Sequence, residues 1–118
     1  VTVKKGSISI KTRKSSNTKF EDFRGIAAGR SGKSGKTAVS ADINISGGKI
    51  SINSYGDCIH ASANVNITDG TLSLTSTADH GIRAKKALSI KSSVNISISS
   101  KKKKVKAESK NIASNINL

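Results

Sequence analysis

Four residues able to hold a proton or a metal recur close together in this chain: Asp57 with His60, then Asp79 with His80. Cys58 lies inside the first pair. If a fold stacks the two pairs about 5 Å apart, Asp57 and Asp79 would share a Ca2+, an ion that asks for several oxygen ligands. Alternatively, each Asp satisfies N–H groups of its own turn, a common role for this side chain. Zinc is not indicated, because Cys58 and His60 alone supply too few closely spaced ligands. No surrounding constellation marks Cys58 as a nucleophile, and it reads as a small buried residue.

The second chemically active set is basic. Arg30, Lys33 and Lys36 sit in the segment Gly29–Thr37 (GRSGKSGKT), and Arg83 and Lys85 follow the second acidic pair. These five are the expected contacts to an anionic ligand. The segment resembles a phosphate-binding loop, but Arg30 stands where the first glycine belongs, and a strand pattern follows where a helix should open. A polysaccharide lyase needs a Lys or Arg base beside a carboxylate-binding, calcium-bearing cleft. Arg83 and Lys85 meet only part of that description, so the expectation is a non-catalytic protein. Lys101–Lys104 form a basic run at an expected corner. Aromatic content of 3% leaves few stacking residues, which disfavours nucleic acid as a specific partner.

The elements that position these groups show in a repeat. The phrases Gly25-Ile26-Ala27-Ala28, Cys58-Ile59-His60-Ala61, Gly81-Ile82-Arg83-Ala84 and Lys104-Val105-Lys106-Ala107 recur, the last three with a period of 23 residues. Between them run pairs of alternating apolar residues separated by a polar break. Ile43, Ile45, Ile50 and Ile52 make one set, Val65, Ile67, Leu72 and Leu74 the next, then Leu88, Ile90, Ile96 and Ile98. Period-two alternation marks a strand with one buried face, and a repeat of this length marks stacked supersecondary units. An antiparallel sandwich also uses short alternating strands, but here the register repeats coil by coil. The expected fold is therefore all-β, a single-stranded parallel β-helix (β-solenoid) of about four coils. Three short strands per coil would stack Ile26, Ile59, Ile82 and Val105 in one interior ladder, and Ala28, Ala61, Ala84 and Ala107 in a second. Ile45, Ile67 and Ile90 over Val3 make a third, and Ile50, Leu72 and Ile96 over Ile8 a fourth.

Residues 1–118 read as one β-helix domain, with loop insertions at about 11–23 and 29–37. Phe20 and Phe23 are expected to pin the first insertion. Residues 108–118 offer Ile112, Ile116 and Leu118 for a partial fifth coil. No apolar run is long enough for a membrane span, and the absence of an initiating Met reads as a mature or excised fragment. Net charge is +14. Residues 1–40 hold ten basic residues against two acids, residues 41–82 only Lys49 against four acids, and residues 83–118 ten basic residues against Glu108. Two basic ends flanking an acidic middle point to an anionic partner or an end-to-end contact. Asn44, Asn66 and Asn95 begin sequons and should face outward, glycosylation being conditional on a secretory eukaryotic or archaeal source.

Three phrases, Ile43–Ile52 (INISGGKISI), Gly56–Ala61 (GDCIHA) and Asp79–Ala84 (DHGIRA), resemble those of secreted carbohydrate-binding proteins of the pectate-lyase-like parallel β-helix type. The resemblance covers roughly residues 24–107. It implies a right-handed helix, an extracellular or cell-surface setting, calcium, and binding to plant polysaccharides including acidic pectins. Relatives often carry two adjacent Asp before the Gly-Ile-His-Ala phrase, whereas each coil here keeps one. The leading expectation is an extracellular, non-catalytic β-helix that binds acidic polysaccharide through its Lys/Arg loops. The alternative is a structural β-solenoid subunit that self-associates end to end through its open strand edges into a filament or surface matrix.

Overall fold

The computed structural model describes residues 1–13, 23–30, 32 and 35–118. Its strands are β1 Thr2–Val3, β2 Ser7–Lys11, β3 Ile26–Ala28, β4 Ile43–Ser54, β5 Ile59–Ala61, β6 Val65–Ser76, β7 Ile82–Ala84, β8 Ala87–Ile90, β9 Asn95–Ser100, β10 Val105–Lys106 and β11 Ser109–Ile112. All pairings between these strands are parallel. Parallel neighbours need a crossover, and here the crossover is a turn of the solenoid itself. Strands of one sheet, sheet A, stack in the order β1-β4-β6-β8-β11, with β2 also on β4 and β9 also on β6; sheet B stacks as β10-β7-β5-β3. Four rungs of the Ile-x-Ala phrase bound about three turns, where counting copies in the sequence gave four coils.

The interior ladders follow the expected register. Ile26 pairs with Ile59, Ile59 with Ile82, and Ile82 with Val105. Val3, Ile45, Ile67 and Ile90 form one column of sheet A, and Ile8, Ile50, Leu72 and Ile96 another. Side chains such as Ile43, Ile59, Val65, Ile67 and Ile82 are fully buried, each contributing about 2 kcal/mol through burial. Outward positions are Ser, Thr and Asn, so one face of each strand is dry and the other wet. The partial fifth coil is present as β11, with Ile112 on Ile90, and Ile116 and Leu118 packing half-buried against the core.

Two local features differ from the expected three short strands per coil. β4 and β6 each run twelve residues, because the polar break between their apolar pairs stays in the ladder as a bulge between Ile45 and Lys49. Gly48 takes φ +94° at this bend, a conformation costly for any residue with a Cβ. The glycine opening the repeated phrase has a different cause, close approach. A Cβ at Gly25 would come within 2.5 Å of the Cys58 carbonyl, and one at Gly81 would strike an Ile98 methyl and reach 2.6 Å from the Lys104 carbonyl.

The insertions leave the coil at defined points. Thr12 Oγ1 donates to the Phe23 carbonyl at 2.6 Å and accepts from Tyr55 N–H at 3.1 Å. Phe23 also meets Tyr55 edge-on, with ring centroids 6.0 Å apart. Residues 14–22, Phe20 among them, lie outside the described residues. The second insertion has a closed neck, where Arg30 and Val39 exchange backbone hydrogen bonds of 2.9 and 3.0 Å in an antiparallel bridge. Residues 35–42 lead into β4 without a helix, as the strand pattern after the pseudo-phosphate loop required.

Candidate functional site

Stacking of β5 on β7 places Asp57 level with His80, since Ile59 pairs with Ile82. Asp57 is buried at the corner before β5, and its Oδ1 accepts the His80 backbone N–H at 3.0 Å. The N–H that it satisfies belongs to the next coil and not to its own turn. Its Oδ2 lies 2.7 Å from His60 Nδ1, and His80 Nδ1 lies 3.3 Å from Oδ1. Burial alone pushes the Asp57 carboxyl up. The His60 hydrogen bond and charge, with the His80 N–H and ring, outweigh that and hold it below the ordinary carboxylate range.

Asp79, one coil on, is equally buried. Its Oδ1 lacks an aligned hydrogen bond; His80 Nδ1 lies 2.8 Å away and the Lys102 ammonium 3.5 Å away. Two buried serines, which sequence reading missed, frame the corner. Ser54 and Ser76, paired in register, each donate to the Gly56 carbonyl at 2.7 Å, and Ser76 Oγ accepts from Asp79 N–H at 3.1 Å. The signal for them was the recurrence of Ser at one rung position, continued by Ser100. Cys58 is fully buried, with Sγ 3.4 Å from Ser54 Oγ, and burial pushes its thiol up. It is a packing residue, as expected.

Calcium takes six to eight oxygens. The ligating atoms of Asp57, Asp79 and His80 do lie within 4.8 Å of one another. Yet the oxygens at this corner already face nitrogens of His60, His80 and Lys102. That donor set, two carboxylates whose contacted oxygens already face ring nitrogens and the Lys102 ammonium, offers too few free oxygens to fit calcium.

The expected basic contacts divide into groups. Arg30 and Lys85, far apart in sequence, line one hollow of about 230 Å3 with Lys86, Ala38, Val39, Ser40 and Ser62. Ser62 builds its floor, donating to the Val39 carbonyl at 2.7 Å and accepting from Ala41 N–H at 2.9 Å, so the loop neck is held against the coil. Arg30 is braced by its Nε donating to the Thr37 carbonyl at 2.7 Å. A second hollow, about 430 Å3, continues from Lys86 to Ala87, Glu108 and Ser109. Arg83 is not in either lining; it occupies the outward position of β7, below Lys106 and above His60. Lys36 is exposed outside both linings, and Lys33 lies outside the described residues. Asn44, Asn66 and Asn95 take outward strand positions, and Asn66 Nδ2 donates to Asn44 Oδ1 at 3.0 Å.

Charge at the surface differs from charge along the sequence. Of the four acids in residues 41–82, Asp57 and Asp79 are buried, and half-buried Asp42 accepts the Asn64 N–H at 2.9 Å. Only Asp69 stands exposed, so the acidic middle does not reach the outside. The basic residues of the hollows and of sheet B face solvent with little opposition.

Fold and site together define a β-solenoid whose solvent-facing groups are hydroxyls, amides and cations. A family model described as "Carbohydrate-binding domain-containing protein" matches residues 1–79, and the chain belongs to that family. The match takes in Arg30, Ser62 and the Asp57 corner and ends before Arg83, Lys85 and Lys86. No curated protein and no solved structure matches the chain. No helix among the described residues is long and apolar enough to cross a membrane.

Proposed function

We propose that this protein binds an acidic polysaccharide without acting on it, at the outside of the cell or on its surface. The observation that carries the reading is the first hollow, which Arg30, Lys85 and Lys86 line together with Ser40. Cations beside hydroxyls are what a uronate needs, one for its carboxylate and the other for its ring oxygens. Family membership supports carbohydrate as the ligand class, and the resemblance to pectate-lyase-like helices supports an acidic plant polysaccharide and an extracellular setting. The non-catalytic reading draws support from the carboxylates nearest Arg83, which are buried and taken up by imidazoles.

Titration with polygalacturonate and with a neutral glucan, at low and high salt, tests this. The expected result is polygalacturonate binding that weakens as salt rises and falls about fivefold in the double variant Arg30→Ser/Lys85→Ser. No binding, or equal binding to any polyanion including DNA, overturns it.

A further inference from the structure

The two hollows share Lys86, and that continuity fixes a direction. Arg30 follows β3, Ser62 follows β5, Lys85 and Lys86 follow β7, and Ser109 opens β11, so the linings climb one coil at a time. Main-chain bonds confirm the stacking: Lys85 N–H donates to the Ala61 carbonyl at 3.0 Å, Lys86 N–H to Ala63 at 2.9 Å, and Ser109 N–H to Lys86 at 3.1 Å. The two hollows therefore follow one another along the solenoid axis, with a rung every 4.7–4.9 Å or so. A pyranose unit advances an extended chain by a comparable step.

Charge follows the same line. Arg83 and Lys106 stack on the outer face of sheet B, and the Lys103 and Lys104 carbonyls accept from the Gly81 and Ile82 N–H groups, at 3.3 and 2.9 Å. His60, the outward residue one rung lower, is held down by Asp57 and half-buried. Glu108 is the single acid in the two linings, at the far end.

Resting on the polyuronate reading above, we infer that the acidic chain lies along the solenoid axis through these two hollows, with Arg83 and Lys106 neutralising successive carboxylates from the side. Glu108 then opposes the far end of the bound chain. A short oligomer fills the first hollow only; a longer one reaches past Lys86 to Glu108.

The test compares a short and a long oligogalacturonide on the full chain by calorimetric titration. For the long oligomer, Arg83→Ser/Lys106→Ser is expected to weaken binding about fivefold, and Glu108→Gln to strengthen it about twofold. Glu108→Gln, beyond the first hollow, should not change binding of the short oligomer. Lys11→Ser/Lys49→Ser, with the same charge loss on the outer face of sheet A, should leave both unchanged. If short and long oligomers respond alike to Glu108→Gln, or if the sheet A pair weakens binding as much as the sheet B pair, the axial lie is overturned while polyuronate binding stands. If the unaltered protein binds neither oligomer, the proposed function falls with it.

Discussion

Asp57 is a carboxylate whose sequence neighbours hide its work. It is buried, and it ties His60 on its own coil to the His80 backbone on the next. Its carboxyl is held below the ordinary carboxylate range, so the folded state binds the charged form more strongly than the unfolded chain does. The sign follows. This contribution is fully present above the unfolded value, about 4, and is lost as pH falls through the lowered folded value. Asp57→Asn keeps an acceptor but removes the charge that the His60 ring and the His80 N–H face, and is expected to cost about 2 kcal/mol at neutral pH. Thermal unfolding from pH 7 to pH 3 checks both points. The unaltered protein should lose stability on the acid side, and the gap to the variant should narrow there. A gap that stays constant with pH would mean that the Asp57 charge is not what holds the corner.

At the scale of the element, the repeated phrase is more demanding than its apolar letters indicate. Ile and Ala rungs build sheet B, but the residue before them must let one coil approach the next. At Gly81 an added methyl meets both the Ile98 side chain and the Lys104 carbonyl of the coil above, and backbone cannot yield cheaply. Gly81→Ala is therefore expected to lose about 2 kcal/mol, a fall of roughly 5 °C in Tm for a domain of this size. Ser51→Ala, on the wet face of β4, should stay within about 0.5 kcal/mol. Equal melting of the two variants would remove close packing as the reason for glycine. This also explains which parts of the fold were legible. Ladders such as Ile45–Ile67–Ile90 follow from two periods acting together, 2 within a strand and 23 between coils. The same period of 23 sets Asp57 beside His80. Burial depth was not legible, because whether a corner closes over its carboxylates depends on Ser54, Ser76 and the coil above rather than on spacing. Nor could spacing show that Arg30 and Lys85 share a hollow, since the loop neck between Arg30 and Val39 decides where Arg30 lands.

For the whole molecule, the question is what stops a solenoid from growing. Parallel coils leave strand edges at both ends, and edges invite another chain unless blocked. β2, with Ile8 and Ile10 half-buried, is an apolar rung. The last rung differs. β11 lies on β8 with Lys110 over Leu88, so an exposed lysine takes the register position that Ile43, Val65 and Leu88 fill below it. A second copy docked head-to-tail there would have to desolvate that charge against aliphatic side chains, at a cost of several kcal/mol. One lysine at the end of a hydrophobic column therefore opposes end-to-end assembly, and its removal should permit it. Lys110→Leu is expected to sediment as larger species as concentration rises, while the unaltered protein keeps one sedimentation coefficient over the same range. If the variant sediments like the unaltered protein, Lys110 is not the block. If the unaltered protein already grows with concentration, the end is not closed, and the filament reading returns.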